Sequence, residues 1–176
     1  MRNRLLVLPP LLLVAGLAHG QEDYFAFIPE GGRTILAAGL AADPALGPRL
    51  AEAKGAEDWL ALIIGGGLPE LVGLDDWQAR TLADYLAYAG PIDPAALPPD
   101  GRDMTLERCQ SCHIVTVVVT QAREKEAWLG TLGKPSHVEV PLTEAERDQL
   151  ADYLVVNAGI PIDAIPPELR AGGASY

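Results

Sequence analysis

Apolar positions recur at helical spacing in two strongly punctuated segments of the chain. In one, Leu150, Tyr153 and Leu154 follow Thr143-Glu144-Ala145-Glu146, where Thr143 and Glu146 have the spacing of a capping box. Gly159 and Pro161 close that helix. In the other, Leu82, Tyr85 and Leu86 follow a start at Asp75 or Asp76, and Gly90 and Pro91 end the run. A third helix is predicted from about Asp103, and a fourth from about Arg123 to Leu132, carrying Trp128. Between these two, Ile114 to Thr120 is β-branched throughout and is expected to be an extended loop. The pattern predicts an all-α fold.

The helical segments belong to a repeat. Gly32-Arg33 returns as Gly101-Arg102 and Trp59-Leu60 as Trp128-Leu129, both at an offset of 69. Ala83-Asp84-Tyr85-Leu86 returns as Ala151-Asp152-Tyr153-Leu154 at an offset of 68. Further on, Pro91-Ile92-Asp93 and Pro98-Pro99 return as Pro161-Ile162-Asp163 and Pro166-Pro167. Two copies of one helical unit of about 70 residues account for this order. The expected boundaries are a first unit at 21–92, a Pro-rich linker at 93–100 and a second unit at 101–176.

The first 20 residues stand apart. Arg2 and Arg4 precede an apolar run from Leu5 to Leu17, and Ala18-His19-Gly20 supplies small residues before Gln21. This is the layout of a secretory signal at 1–20, with cleavage expected after Gly20. The run is too short for a spanning helix and is interrupted by Pro9-Pro10, so stable membrane insertion is not expected. Loss of Arg2 and Arg4 would leave 11 basic against 24 acidic residues, a net charge of −13. That balance argues against nucleic-acid binding and suits a well-solvated exported protein, or one steered to a basic patch on a partner.

The chemistry is concentrated in Cys109-Gln110-Ser111-Cys112-His113, a C-x-x-C-H segment. Zinc is a poor reading, because the chain has no other cysteine and its only other histidines are His19 and His137. A thioredoxin-like site would follow a strand inside a βαβ pattern, and none precedes the motif. The adjacent histidine and the export signal favour covalent attachment of haem. On one helical face, Cys109 and Cys112 would add their S–H groups across the two haem vinyls, and His113 would take the proximal iron position.

From Gly101 to about Ile162 the chain resembles the class I cytochrome c fold, in which a helix runs into C-x-x-C-H and a C-terminal helix packs across it. The succession Arg108-Cys109, Cys112-His113, Glu126-Ala127-Trp128, Leu142-Thr143-Glu144 and Tyr153-Leu154 is similar to haem domains attached to periplasmic dehydrogenases. Examples are the cytochrome part of quinohaemoprotein amine dehydrogenases and the cytochrome subunits of sulfite dehydrogenases. The resemblance implies two tandem cytochrome c-like helical domains, of which only the second carries haem. In the first copy, Leu40, Asp43 and Pro44 stand where Cys109, Cys112 and His113 stand in the second. Leu36, Leu40, Leu46, Leu50, Leu62 and Ile63 are expected to fill the volume instead. The first half could equally be a helical cap that was never a cytochrome.

Relatives often supply a distal methionine about seven residues after the tryptophan, where this chain has Pro135. Met104 lies upstream of the motif and Lys134 is a weak donor, which leaves His137 as the favoured sixth ligand, with an open iron as the alternative. The implied function is a periplasmic carrier of single electrons with one covalently attached haem c, either diffusing freely or as the cytochrome subunit of a dehydrogenase. Its partner would be a redox protein, such as a periplasmic dehydrogenase or a terminal acceptor. An open iron would instead suit gas binding or peroxidatic chemistry, and free thiols without haem would suit thiol-disulfide exchange.

Overall fold

Two long helices with reciprocal capping boxes organise the chain, which the computed structural model describes over residues 23–170. The expected signal at 1–20 lies outside the described residues. The helices are α1 (Gly32–Ala42), α2 (Leu46–Arg49), α3 (Ala56–Ile64), α4 (Asp76–Ala89), α5 (Gly101–Arg108), α6 (Thr116–Val119), α7 (Lys125–Leu132), α8 (Pro135–Val138) and α9 (Glu144–Asn157). Short 3-10 turns complete the regular structure, and no strand occurs among the described residues. The all-α expectation holds. None of the described helices is long and apolar enough to cross a membrane.

The capping boxes set the starts of α4 and α9. The Asp75 carboxylate accepts from the Gln78 amide at 2.8 Å while Gln78 Oε1 accepts from the Asp75 amide at 3.2 Å. Thr143 Oγ1 accepts from the Glu146 amide at 3.2 Å, and Glu146 accepts from the Thr143 amide at 2.6 Å. After α9, Gly159 takes a φ of 81°, a left-handed turn that costs glycine little. The helix expected from about Arg123 starts at Lys125.

The β-branched stretch Ile114 to Thr120 is not extended. Four of its residues form α6, and Val115 and Val119, one turn apart, are buried against Ile28 with Phe25 and Phe27 beside them. Burying one apolar stripe in this contact outweighs the modest preference of valine and threonine for extended backbone.

The repeat appears as two halves of matching element order, with α1, α3 and α4 answered by α5, α7 and α9. Matching residues make matching contacts. Trp59 and Trp128 are both buried, with Lys54 and Arg123 five residues earlier in the chain over their rings at 5.6 and 5.1 Å. The Ile92 amide donates to Leu50 O, and the Ile160 amide donates to Val119 O. This pairs Ile92 with Ile160 and not with Ile162, as the Pro-Ile-Asp match implied, so the 68-residue offset persists past the end of α9.

The halves also exchange contacts across a pseudo-twofold axis. Tyr85 Oη donates to Pro98 O at 2.8 Å, and Tyr153 Oη donates to Pro29 O at 2.7 Å, so each tyrosine bonds the segment leading into the other half. On the axis, the Asp100 carboxylate accepts from the Asp103 amide at 3.0 Å and from the Arg33 amide at 2.8 Å. One buried side chain thereby caps both α5 and α1. Helices α4 and α9 pack together, joined by Trp77 Nε1 donating to Val156 O at 2.7 Å and Asn157 Nδ2 to Thr81 Oγ1 at 3.1 Å.

The first half is filled by its own side chains. Leu36, Leu46, Leu50 and Ile63 are buried in one cluster with Leu68, Leu71, Leu82 and Leu86, and Leu40 and Leu62 pack against it. All six residues expected to fill this half do so.

Candidate functional site

The C-x-x-C-H segment begins where α5 ends. Arg108 closes the helix, Cys109–Ser111 tightens into a 3-10 turn, and the amides of Cys112 and His113 both donate to Cys109 O, at 3.4 and 3.0 Å. This turn sets Cys109, Cys112 and His113 on one wall of a cavity of about 280 Å³, or about 920 Å³ with its open mouth. Val118, Trp128, Leu132, Leu150 and Leu154 supply apolar lining. Burial alone pushes the Cys109 thiol up to about 11, so it is protonated at neutral pH. A thiol-disulfide catalyst needs the opposite shift.

His137 faces the motif across the same cavity. Its ring centroid lies 6.0 Å from that of His113, with the planes 26° apart. The sequence segment Gly133 to His137 is no open loop: Pro135 at the first helical position starts the single turn of α8 that carries the histidine. Ser136 Oγ lies 3.1 Å from His137 Nδ1, which leaves Nε2 as the nitrogen available to a metal. Lys134 is exposed and off the cavity wall, and Met104 is buried in the second cluster, also off the wall. Of the candidates for a distal ligand, His137 alone reaches the site.

The residues present suit a haem better than a bare metal ion. Among the described residues no three His, Cys, Asp or Glu side chains converge as a metal site, whereas a porphyrin brings four nitrogens of its own and asks the protein for only one or two. The two imidazoles lie stacked, 6.0 Å apart, on the lining of this one cavity, so both are within reach of a single group bound there. Trp128 Nε1 is buried on this wall with no hydrogen-bond partner, as is Trp59 Nε1 in the filled first half, so the orphaned donor belongs to the repeat and does not mark the cavity.

In the first half the equivalent positions are closed. Leu40 stands for Cys109, Leu68 for His137 and Leu71 for Val140, and all three belong to its apolar cluster. A Cβ on Gly39 would lie 2.7 Å from Leu71 Cδ2, so Leu71 packs directly against α1 at this point.

Sequence reasoning did not single out Arg147. From α9 its guanidinium donates to Leu132 O and Val140 O at 2.8 Å, to Val138 O at 3.1 Å and to His137 O at 3.3 Å. Nothing in the local pattern marks it, because its partners are backbone carbonyls. Ser136 was likewise silent until its neighbour's ring was placed. Comparison with known proteins adds no relative: no family model, curated protein or solved structure matches the chain.

Proposed function

We propose that the protein is a periplasmic c-type cytochrome that carries single electrons, as a free carrier or as the cytochrome subunit of a dehydrogenase. The observation that carries this reading is the pairing, in one apolar cavity, of the C-x-x-C-H wall with a second imidazole 6.0 Å from the first. In this reading residues 101–176 form a cytochrome c-like domain with one haem c. Residues 21–92 form a companion domain of the same ancestry that has filled its own pocket, with 93–100 as the linker. A bound haem supplies the one-electron iron couple.

The chain's residues do the remainder. Cys109 and Cys112 would anchor the group through their sulfurs, and His113 and His137 would offer imidazole nitrogen to its iron. Leu132, Leu150 and Leu154 line the cavity with apolar surface. Two histidine ligands would limit reorganisation on electron transfer and would favour a lower potential than a Met/His pair. The protein needs no acid or base for this task, since its role is ligation, burial and access to a partner.

Mass spectrometry and absorption spectra of the purified protein test the reading. One haem adduct and a low-spin spectrum that carbon monoxide leaves unmoved are expected, with His137→Ala becoming reactive to carbon monoxide. A chain with free thiols and no adduct would refute the assignment. A wild-type spectrum that shifts with carbon monoxide would replace the carrier with a gas-binding or peroxidatic protein.

A further inference from the structure

The turn that carries His137 has little to hold it in place by itself. Helix α8 is a single turn, and His137 lies in it between the end of α7 and the start of α9. Carbonyls at the ends of short helices have no partners within the helix. Here Leu132 O closes α7, His137 O and Val138 O end α8, and Val140 O follows it; all four accept from Arg147, and His137 O and Val140 O accept a backbone amide as well. Arg147 makes no ion pair among the described residues, so these carbonyls are the partners its charge has there. It projects from the first turns of α9, whose start is fixed by the Thr143 and Glu146 box.

We infer that Arg147 is the positioning residue that holds His137 at the iron, by clamping the 132–140 backbone onto α9. This rests on the reading of His137 as an axial ligand. A planar guanidinium with five donors in a fixed fork can serve four carbonyls at once, which an ammonium on a flexible stem cannot. The first half treats the matching turn alike with a residue from another element: Arg49 pairs with Glu70 at 2.9 Å and also donates to Gly67 O. There the clamped turn buries Leu68 in the place of a ligand.

The test compares haem-loaded wild type, Arg147→Gln, Arg147→Lys and His137→Ala by ferrous spectra with and without carbon monoxide, and by amide hydrogen exchange. Arg147→Gln should keep its covalent haem yet raise the carbon monoxide-reactive fraction by about tenfold or more, with added imidazole restoring the six-coordinate spectrum. Exchange should quicken across 133–140 while Leu150 to Leu154 stay protected. Arg147→Lys should fall between wild type and Arg147→Gln, and it carries the test should the glutamine variant not mature. If both Arg147 variants remain as inert to carbon monoxide as wild type while His137→Ala opens, the inference is overturned and the ligation stands. A His137→Ala spectrum identical to wild type overturns both.

Discussion

At the scale of single residues, two very close approaches sit where the two copies of the repeat do the same thing. A Cβ on Gly101 would lie 2.1 Å from Tyr153 Cβ, and one on Gly32 would lie 2.2 Å from Tyr85 Cβ. Each glycine lets the first helix of its half press against the long helix, backbone to side chain. Because the obstruction is a Cβ at the root of a tyrosine, no rotamer change relieves it. Gly101→Ala should therefore cost about 1–3 kcal/mol in urea unfolding, as overpacking does elsewhere, and Gly32→Ala should cost about as much. An unchanged midpoint in either variant would contradict this close crossing. Position 31 and its counterpart 100 show the opposite relation, in which likeness had to be broken. A Cβ on Gly31 would sit 2.0 Å from Asp100 Oδ2, so the axis has room for one carboxylate, and that carboxylate caps both helices.

At the scale of elements, the α4–α9 interface holds charge where the two helices meet. Asp84 is buried there, and its carboxyl is raised to about 6, first by burial, against the pull of Arg80 at 3.5 Å. Asp152, its counterpart on α9, adds to the rise, while Lys125, bound to Asp152 at 2.8 Å, offsets it. An aspartate whose folded pKa lies above the unfolded value of about 3.9 binds more protons when folded, so stability falls as pH climbs from about 4 to 6. Asp84→Asn should flatten that slope in pH-dependent urea melts, and a slope identical to wild type would count against the buried carboxyl. Both helices were legible in the sequence, because a capping box and an apolar stripe are local signals. The stretch Ile114 to Thr120 was not, since what bends it into α6 is Ile28 and its neighbours nearly 90 residues away in the chain. The candidate site divides the same way. Cys109, Cys112 and His113 announce themselves within five residues and His137 by elimination, but Arg147 acts on backbone carbonyls that only the folded turn presents.

At the scale of the whole molecule, a repeat in sequence says that two units are alike and not how they meet. Here they meet by exchange. Tyr153 needs Pro29, Tyr85 needs Pro98, Arg33 on α1 pairs with Asp103 on α5 at 2.7 Å, and Val115 and Val119 beside the motif are covered by Ile28. Separating the halves would leave a cap, two hydroxyls and an apolar patch without partners, so the structure predicts one cooperative unit and not two beads on a linker. Leu82→Ala, a cavity made wholly within the first half, should remove about 2–5 kcal/mol. In a cooperative molecule that loss must reach α9. Hydrogen exchange read by mass spectrometry should then show the core amides of Leu150 to Leu154 losing protection in step with those of Leu82 to Leu86. If α9 keeps its wild-type protection while α4 loses its own, the halves unfold independently. The filled half would then be a neighbour of the candidate haem site and not part of what holds it together.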